Sequence, residues 1–325
     1  MNLIKSIQLG NKLFPSNLIQ GPLAGISCAP FRKLIWQYSQ PAFTCTEMIS
    51  CKTILHHSSE QLKRYIYKDQ QEGALCFQLS GNDPIELAEA VKKVTDFGAD
   101  LIDLNCGCPV KKIRSKGAGS SLLMNSTTLF QLISAMKNNT TVPVSIKIRV
   151  EGGSTDKFNE EIVHVVRDAG TDFLVVHGRH WTEHYETPCH YDDIQYYVES
   201  LKIPVIGNGD IRDAASLQTM FATGCAGVMI SRAGMGQPWL IGKLTAEMAG
   251  NKFEMPSNQE CAQAFLQHVR ELMGLMQNEK SAIMQARQFA KYYARQLPNR
   301  MEFAAAVNQC ESLQQVETIL PQFFQ

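Results

Sequence analysis

Leu101-Ile102-Asp103-Leu104, followed directly by Asn105-Cys106-Gly107-Cys108-Pro109, contains the pattern that organises this chain. The first four residues form an apolar run typical of a buried strand. The next five hold two cysteines at the strand's end, where Gly107 and Pro109 flank Cys108 and favour a presented side chain. Two interpretations are open: Cys108 takes part in chemistry, or both cysteines pack as small buried hydrophobic residues.

The same order recurs eight times between Asn17 and about Arg232: a short β-rich run, a polar strand end, and a helical stretch. The runs lie near Leu18–Gln20, Phe43–Thr46, Ala74–Leu79, Leu101–Leu104, Val144–Ile148, Phe173–Val176, Val205–Gly207 and Gly227–Ile230. Eight strand-helix units predict an α/β fold of the (β/α)8 TIM-barrel type, with a doubly wound sheet as the alternative.

No strand-like run follows Pro238-Trp239. The remaining chain shows helical periodicity over Ser257–Gln277, Ala282–Gln296 and Glu302–Phe324. We therefore predict a barrel domain over residues 1–240 and a small C-terminal all-helical domain over residues 241–325. Arg287, Lys291 and Arg295 recur every fourth residue, which predicts one basic helix face beside Tyr292 and Tyr293.

Composition favours a soluble, cytoplasmic protein. Of the 325 residues, 44% are hydrophobic, and no apolar run approaches the roughly 20 residues that cross a bilayer. The first ten residues lack the apolar core of a signal peptide. Ten cysteines without regular spacing suit a reducing compartment, and no CxxC pair suggests a metal site.

Net charge is zero, with 31 basic and 31 acidic side chains, so whole-protein charge does not indicate a nucleic-acid binder. Local charge differs, because the loop from Lys111 to Gly119 carries four basic residues and no acidic one. Such a patch favours a positive face that contacts phosphate, although a solvated loop is the commoner meaning of one charge run.

The strand ends of a barrel can be considered together, because active sites lie at the carboxyl ends of the strands. Asn208-Gly209-Asp210 and Ser231-Arg232 follow the seventh and eighth runs, where barrels commonly bind phosphate. Lys147 offers positive charge, and His177 and Gln78 offer polar groups that a flat heterocycle requires. Flavin mononucleotide (FMN) satisfies all of these demands. Taken singly, Lys147 could instead be a snorkelling lysine and His177 a satisfied core histidine.

These motifs, in this order and spacing, resemble those of the tRNA-dihydrouridine synthases, most closely the bacterial B type. The resemblance rests on Gly21-Pro22-Leu23-Ala24-Gly25, Glu47-Met48, Gln78-Leu79-Ser80-Gly81, Asn105-Cys106-Gly107-Cys108-Pro109, Lys147-Ile148-Arg149, His177-Gly178-Arg179, Asn208-Gly209-Asp210 and Pro238-Trp239. It covers Asn17 to Trp239 strongly and the helical tail more loosely.

The resemblance implies an enzyme that reduces the C5=C6 bond of a particular uridine in tRNA, with NADPH reloading the flavin. Cys108 matches the family's catalytic cysteine, which as a general acid would deliver a proton to C5 while hydride reaches C6. The residues implied to contact FMN are Pro22, Leu23, Ala24, Gln78, Lys147, His177, Asn208, Gly209, Asp210, Ser231 and Arg232.

The same likeness implies a tRNA-binding surface at the barrel mouth and the helical domain, on a protein expected to be monomeric without an obligate protein partner. The candidate contacts to tRNA and its uridine are Asn105, Lys111, Lys112, Arg114, Arg149, Arg179, Arg287 and Lys291. The B-type likeness suggests uridine 17.

The chain departs from the family pattern after Arg179, where His180 and Trp181 replace the usual threonine and arginine. It departs again at Gln288-Phe289, within a segment that is usually Arg-Lys-His. These changes concern tRNA contacts more than the flavin site. Two alternative functions therefore remain open: a dihydroorotate dehydrogenase-like flavin barrel acting on a free small molecule, and a non-catalytic, flavin-stabilised tRNA-binding factor.

Overall fold

Eight parallel strands close into a barrel in the computed structural model, which describes residues 3–151 and 156–325. Residues 1–2 and 152–155 of the predicted barrel domain lie outside this description. The predicted (β/α)8 barrel is confirmed, and the doubly wound alternative is wrong because the sheet has no open edge. The strands are β1 (Ile7–Leu9), β2 (Lys12–Phe14), β3 (Leu18–Gln20), β4 (Thr44–Cys45), β5 (Ile49–Ser50), β6 (Leu75–Ser80), β7 (Leu101–Cys106), β8 (Val144–Arg149), β9 (Phe173–His177), β10 (Val205–Asn208) and β11 (Gly227–Ile230).

Barrel order follows chain order from β3 through β4 and β6 to β11, and β11 pairs with β3 to close the ring. The two-residue β5 extends the sheet beside the end of β6. Parallel register places Gln78 opposite Asp103, Asn105 opposite Lys147, and Asn208 opposite His177. The polar strand ends therefore meet at the carboxyl edge of the barrel, as the sequence pattern predicts.

Helices cover the outside of the barrel and form the C-terminal part of the chain. Their starts follow local chemistry: before the fourth helix, for example, the Asp83 carboxylate accepts hydrogen bonds from the N–H groups of Ile85 and Glu86. The helices are α1 (Ala29–Tyr38), α2 (Cys51–His56), α3 (Ser59–Ile66), α4 (Pro84–Asp96), α5 (Lys111–Arg114), α6 (Ser126–Lys137), α7 (Asp156–Asp168), α8 (Tyr191–Ser200), α9 (Ala214–Ala222), α10 (Leu240–Met248), α11 (Asn258–Met276), α12 (Glu279–Tyr293), α13 (Arg300–Gln309) and α14 (Leu313–Phe323). Short 3-10 helices span Gly119–Met124 and Arg232–Gly234.

The β1–β2 hairpin packs into the barrel interior at the end opposite the polar strand ends. Its Ile7, Leu9 and Phe14 belong to one buried cluster with Phe43, which directly precedes β4, and Phe173 of β9. Aromatic rings fill this space, since Phe43 lies 5.7 Å from Phe14 and 6.3 Å from Phe173 between ring centroids. The barrel interior is therefore packed at this end.

Helix α10 directly follows the predicted domain boundary at residue 240. It buries Leu240, Ile241 and Leu244 in the same cluster as the barrel helices, so it packs on the outside of the barrel. The predicted helix Glu302–Phe324 is two helices, because the backbone is extended at Cys310 and Ser312 caps a new helix by accepting from Gln315 N–H.

The C-terminal helices pack directly against the barrel. Phe31 and Ile35 of α1 share one buried cluster with Phe265 and Phe289 of α11 and α12. Gly236 lies in this contact with φ of +65°, and a Cβ added there would meet the Tyr292 carbonyl carbon at 2.3 Å. Only glycine permits so close an approach. The barrel and the tail therefore share a tightly packed interface beside the strand ends.

Candidate active site

A cavity of ≈ 570 Å³ opens at the carboxyl edge of the barrel. Its size lies within the range of small-molecule sites. All eleven residues predicted to contact a cofactor line it, and so do Cys108, Asn105 and Arg149. The residues of this set are Pro22, Leu23, Ala24, Gln78, Asn105, Cys108, Lys147, Arg149, His177, Asn208, Gly209, Asp210, Ser231 and Arg232. The structure thus brings together residues that are up to 210 positions apart in sequence.

Cys108 is the one cysteine that faces this cavity. All ten cysteines lie in the described part of the chain, and the other nine are buried whereas Cys108 is half-buried. Its backbone N–H donates to Asn105 Oδ1 at 2.9 Å, and its carbonyl accepts from Ser120 N–H at 3.1 Å. Cys106 belongs instead to the core behind the strands. The turn therefore presents one thiol and hides the other.

A chain of hydrogen bonds holds this turn from below. Asp103 Oδ1 accepts from Ser145 Oγ at 2.6 Å, and its Oδ2 accepts from Gln78 Nε2 at 2.8 Å. Gln78 Oε1 accepts from Asn105 Nδ2 at 2.9 Å, which leaves Asn105 Oδ1 to accept from Cys108. When Asp103 is ionised its carboxylate only accepts, so it fixes which way the Gln78 amide points, and Gln78 in turn fixes Asn105. One amide hydrogen of Gln78 remains for a ligand.

Positive charge dominates the cavity wall. Burial and the nearby Arg149 lower the pKa of Lys147 to about 8, against the attraction of Asp103. Burial, together with Lys147, Arg149, Arg179 and Arg232, keeps the pKa of His177 well below its ordinary range, so the ring is neutral near pH 7. Arg179 Nη1 lies 3.3 Å from His177 Nε2, and a guanidinium can only donate. The His177 proton therefore resides on Nδ1.

The ends of β10 and β11 form the polar end of the cavity. Asn208 Nδ2 donates to the Met229 carbonyl at 2.8 Å and to Ser231 Oγ at 3.3 Å, which fixes the two strand ends to each other. Arg232 follows directly, with its guanidinium carbon 3.5 Å from the centre of the half-exposed Tyr185 ring. A hydroxyl, backbone N–H groups and a guanidinium placed together suit a phosphate group.

The carboxylate of Asp210 pairs with Arg179 and is not one of the groups that suit a phosphate. The residue has φ of +54°, a left-handed conformation that is uncommon outside glycine. Its carboxylate pairs with Arg179 and accepts from Cys189 N–H at 3.0 Å. Arg179 is only 1% exposed and also donates to the carbonyls of Tyr185 and Thr187. The structure places Arg179 inside the wall rather than on the open face where an RNA contact is predicted.

The other predicted tRNA contacts are divided between open and internal positions. Lys111 and Lys112 are exposed on α5, beside the cavity. Arg114 instead lies over the Trp181 ring, with its guanidinium carbon 3.2 Å from the ring centre. On the tail, Lys291 is exposed, but Arg287 donates to the Cys310 carbonyl at 2.9 Å.

The predicted basic face of α12 is therefore smaller than its periodicity indicates. Arg295 lies beyond the end of the helix and donates to the Met235 carbonyl, and Tyr293 is buried. Arg295 thus joins the C-terminal helices to the barrel, and Tyr293 packs in the core of those helices. Lys291, stacked 5.1 Å from the Tyr292 ring centre, is the open basic group of this set.

Two further side chains at this candidate site, Asp103 and Tyr185, were not predicted from the sequence. Asp103 stands inside an apolar strand, and a lone carboxylate in such a run is itself a sign of a buried polar role. Tyr185 lies in the atypical segment after Arg179, whose course cannot be deduced from periodicity. Tyr185 lines the cavity together with the exposed Arg212 and with Met48.

The buried Asp103 predicts a distinctive pH dependence of stability. Burial raises the pKa of Asp103 from 3.8 to about 7, although Ser145, Gln78 and Lys147 oppose the shift. The folded state thus holds this proton more tightly than the unfolded state, so the contribution to stability is present below pH 3.8 and is lost as the pH rises through about 7. From pH 4 to 7, urea unfolding of flavin-free protein should show the wild type losing stability relative to Asp103→Asn.

Asp100→Asn is the matched control, since it removes a second carboxylate, which is only partly buried. Burial alone would raise the pKa of Asp100, but hydrogen bonds from Lys12, Lys68 and the Leu75 N–H lower it overall. Its contribution is present above 3.8 and is lost as the pH falls. The two substitutions should therefore change the pH dependence of the free energy of unfolding in opposite directions. Parallel curves for Asp103→Asn and the wild type would contradict the assignment.

The described residues contain neither a cluster of metal-binding side chains nor a membrane-spanning helix. Within ranges 3–151 and 156–325, no group of three or more His, Cys, Asp or Glu side chains is placed to hold a metal ion. Over the same part of the chain, none of the helices is long and apolar enough to span a membrane.

Comparison with known proteins agrees with the resemblance inferred from the motifs. Residues 19–325 match a family model described as dihydrouridine synthase (Dus). A tRNA-dihydrouridine synthase B from Pasteurella multocida is 32% identical over 315 residues, covering 95% of this chain and 93% of the relative. A probable tRNA-dihydrouridine synthase from Rickettsia conorii is 30% identical, with 93% and 91% covered. A probable tRNA-dihydrouridine synthase 1 from Synechocystis is 32% identical, with 98% and 89% covered.

Proposed function

The chain belongs to the dihydrouridine synthase family, and on this premise we propose that it reduces one particular uridine of tRNA to 5,6-dihydrouridine, with bound FMN that NADPH reloads. The observation that carries the proposal is the placement of Cys108: it is the one cysteine that is not buried, and it shares a cavity with all eleven predicted flavin contacts. An ordinary structural cysteine would not require these neighbours.

The donor set of the cavity fits a flavin with a phosphate tail. The end near Ser231 and Arg232 offers a hydroxyl and a guanidinium suited to phosphate. The ends of β6, β8 and β9 offer the remaining Gln78 amide hydrogen, the Lys147 ammonium and the His177 Nδ1–H, which together suit the mixed polar edge of a heterocycle. Bound in this way, FMN would supply hydride to C6 of the uracil ring.

Side chains of the protein would then stabilise the negative charge that develops on the uracil and supply the proton that the ring requires. Reduction of an α,β-unsaturated carbonyl builds negative charge on the C4 oxygen and requires a proton at C5. The Cys108 thiol is the candidate acid, because it faces the cavity and its turn is held by Asn105 and Ser120. Asn105 and Arg149 line the same wall and are our candidates for donors to the uracil.

The basic loop after Cys108 would hold the tRNA backbone. A uridine must leave the tRNA stack to enter the cavity, and unstacking costs a few kcal/mol that phosphate and stacking contacts offset. Lys111, Lys112 and Lys291 are exposed candidates for phosphate contact. Arg179 and Arg287 are already bonded to the Asp210 carboxylate and the Cys310 carbonyl, so we assign the phosphate contacts to the lysines instead.

The proposal predicts a defined loss in cells. Mass mapping of individual tRNAs should find one uridine that is reduced when the gene is present and unmodified when it is deleted. Restoring the wild-type gene should restore the modification, whereas restoring the Cys108→Ala form should not. If every dihydrouridine persists in the deletion strain, the proposed function is wrong.

A further inference from the structure

A second cavity of ≈ 680 Å³ lies beside the first on the same edge of the barrel. Met48 lines both cavities, so the two spaces adjoin. The second is bounded by the end of β6, by the segment Met48–Thr53, by α3 and by the loop that follows Cys108. A single-stranded stretch of RNA that places one nucleotide in the first cavity can therefore place the adjacent nucleotide in the second.

The second cavity is positively charged. Lys52, Lys112 and Lys116 line it, and Glu86 is the acidic side chain among its walls. Glu86 lies 3.5 Å from Lys52, whereas Lys112 and Lys116 are exposed and form no ion pair within the described part of the chain. Two unpaired ammonium groups beside a cavity suit a phosphodiester.

The remaining wall suits a nucleobase. The half-buried Tyr65 offers a flat ring, and the side chains of Thr53 and Asn82 form no hydrogen bond with the residues that the structure describes. Proteins that bind single-stranded RNA combine a stacking ring, free polar groups and nearby cations in this way.

We infer that the second cavity holds the nucleotide adjacent to the target uridine, with its phosphate at Lys112 and Lys116 and its base against Tyr65. This inference rests on the proposed function. The adenosine end of NADPH shares the same chemistry, but Lys112 and Lys116 belong to the loop that carries Cys108, and that thiol acts only on the uracil. A nucleotide bound there would hold the acid's loop in place while the uridine is reduced.

A charge-matched pair of double variants tests this assignment. Lys112→Ala/Lys116→Ala removes two cations from the second cavity, and Lys92→Ala/Lys202→Ala removes two exposed lysines that line neither cavity. Binding of unmodified tRNA to the FMN-loaded proteins is measured by fluorescence anisotropy over a range of salt concentrations. Removing two phosphate contacts should reduce the slope of log affinity against log salt by about 1.5. The control pair should keep the wild-type slope.

Stopped-flow kinetics assign the ligand. Mixing NADPH-reduced enzyme with tRNA should reoxidise the flavin about tenfold or more slowly in Lys112→Ala/Lys116→Ala and in Tyr65→Ala. Tyr65→Phe, which keeps the ring, should resemble the wild type. Reduction of the oxidised flavin by NADPH should be unchanged in all of these variants, and their flavin content checks that they are folded.

The outcomes separate the two claims. If the wild type is active and Lys112→Ala/Lys116→Ala matches the lysine control, the second-cavity inference is wrong while the proposed function stands. If only reduction by NADPH slows, the cavity belongs to the nicotinamide nucleotide and the inference is equally wrong. If tRNA fails to reoxidise even the wild-type flavin, the proposed function fails and the inference falls with it.

Discussion

Cys108→Ala should reduce turnover with tRNA by about 10²–10⁴-fold, the usual contribution of a general acid. The thiol faces the cavity, and its backbone is held at both N–H and carbonyl, so its removal deletes a proton donor without releasing the turn. Reduction of the flavin by NADPH requires no proton from this group and should continue at the wild-type rate. Stopped-flow measurement of both half-reactions on the purified, flavin-loaded protein distinguishes the two effects.

Cys106→Ala is the matched control, because it removes a neighbouring thiol from the same motif. Cys106 is buried in the core behind the strands, and burial raises the pKa of its thiol well above its ordinary value. Its substitution should cost about 1 kcal/mol of stability through the small cavity left behind, with tRNA reduction retained. Equal losses in Cys106→Ala and Cys108→Ala would show that the motif matters for packing and not for proton transfer.

Arg232→Ala should weaken FMN binding by about 10-fold or more, since a hydrogen bond between charged groups contributes roughly 1.5–3 kcal/mol. The guanidinium stands beside Ser231 at the end of β11, and the Tyr185 ring covers it at 3.5 Å. Arg232→Lys keeps the charge but loses the planar fork, so its affinity should be intermediate. Affinities are measured by fluorescence quenching as flavin binds the flavin-free protein.

Riboflavin, which lacks the phosphate, makes this prediction specific. The wild type should bind FMN much more tightly than riboflavin, and Arg232→Ala should remove most of that preference while leaving riboflavin binding nearly unchanged. Loss of affinity for both ligands in equal measure would mean that Arg232 supports the fold of the cavity. An unchanged preference for FMN would place the phosphate elsewhere.

The barrel could be predicted because the residues at the ends of its strands and helices mark where each element stops. Short apolar runs such as Leu101–Leu104 end at polar residues, and glycines end the helices that follow, so strand number and order are local properties of the sequence. The β1–β2 hairpin gave no such pattern, since three-residue strands are too short for alternation to be recognised. The role of α10 also depends on where it packs, which periodicity does not determine.

The cavity residues could be predicted for the same reason, because a closed parallel barrel necessarily gathers its strand ends. What each charged side chain does there could not be predicted in this way. From the sequence, Arg179 and Arg287 are expected to be free to contact RNA. In the structure, Arg179 forms an ion pair with Asp210, and Arg287 donates a hydrogen bond to the Cys310 carbonyl. Long-range pairs of this kind depend on loop courses, and the segment that holds Tyr185 departs from the family pattern.

The most direct test of the central claim is a single-turnover experiment with anaerobically reduced, FMN-loaded protein and unmodified tRNA. We expect the flavin to reoxidise and one dihydrouridine to form for each flavin oxidised, at a single position found by mass mapping. Free uridine, orotate or other small pyrimidines should leave the flavin reduced. Reoxidation by a free pyrimidine, or tRNA binding without any dihydrouridine, would contradict the account and favour a small-molecule oxidoreductase or a non-catalytic tRNA-binding factor, respectively.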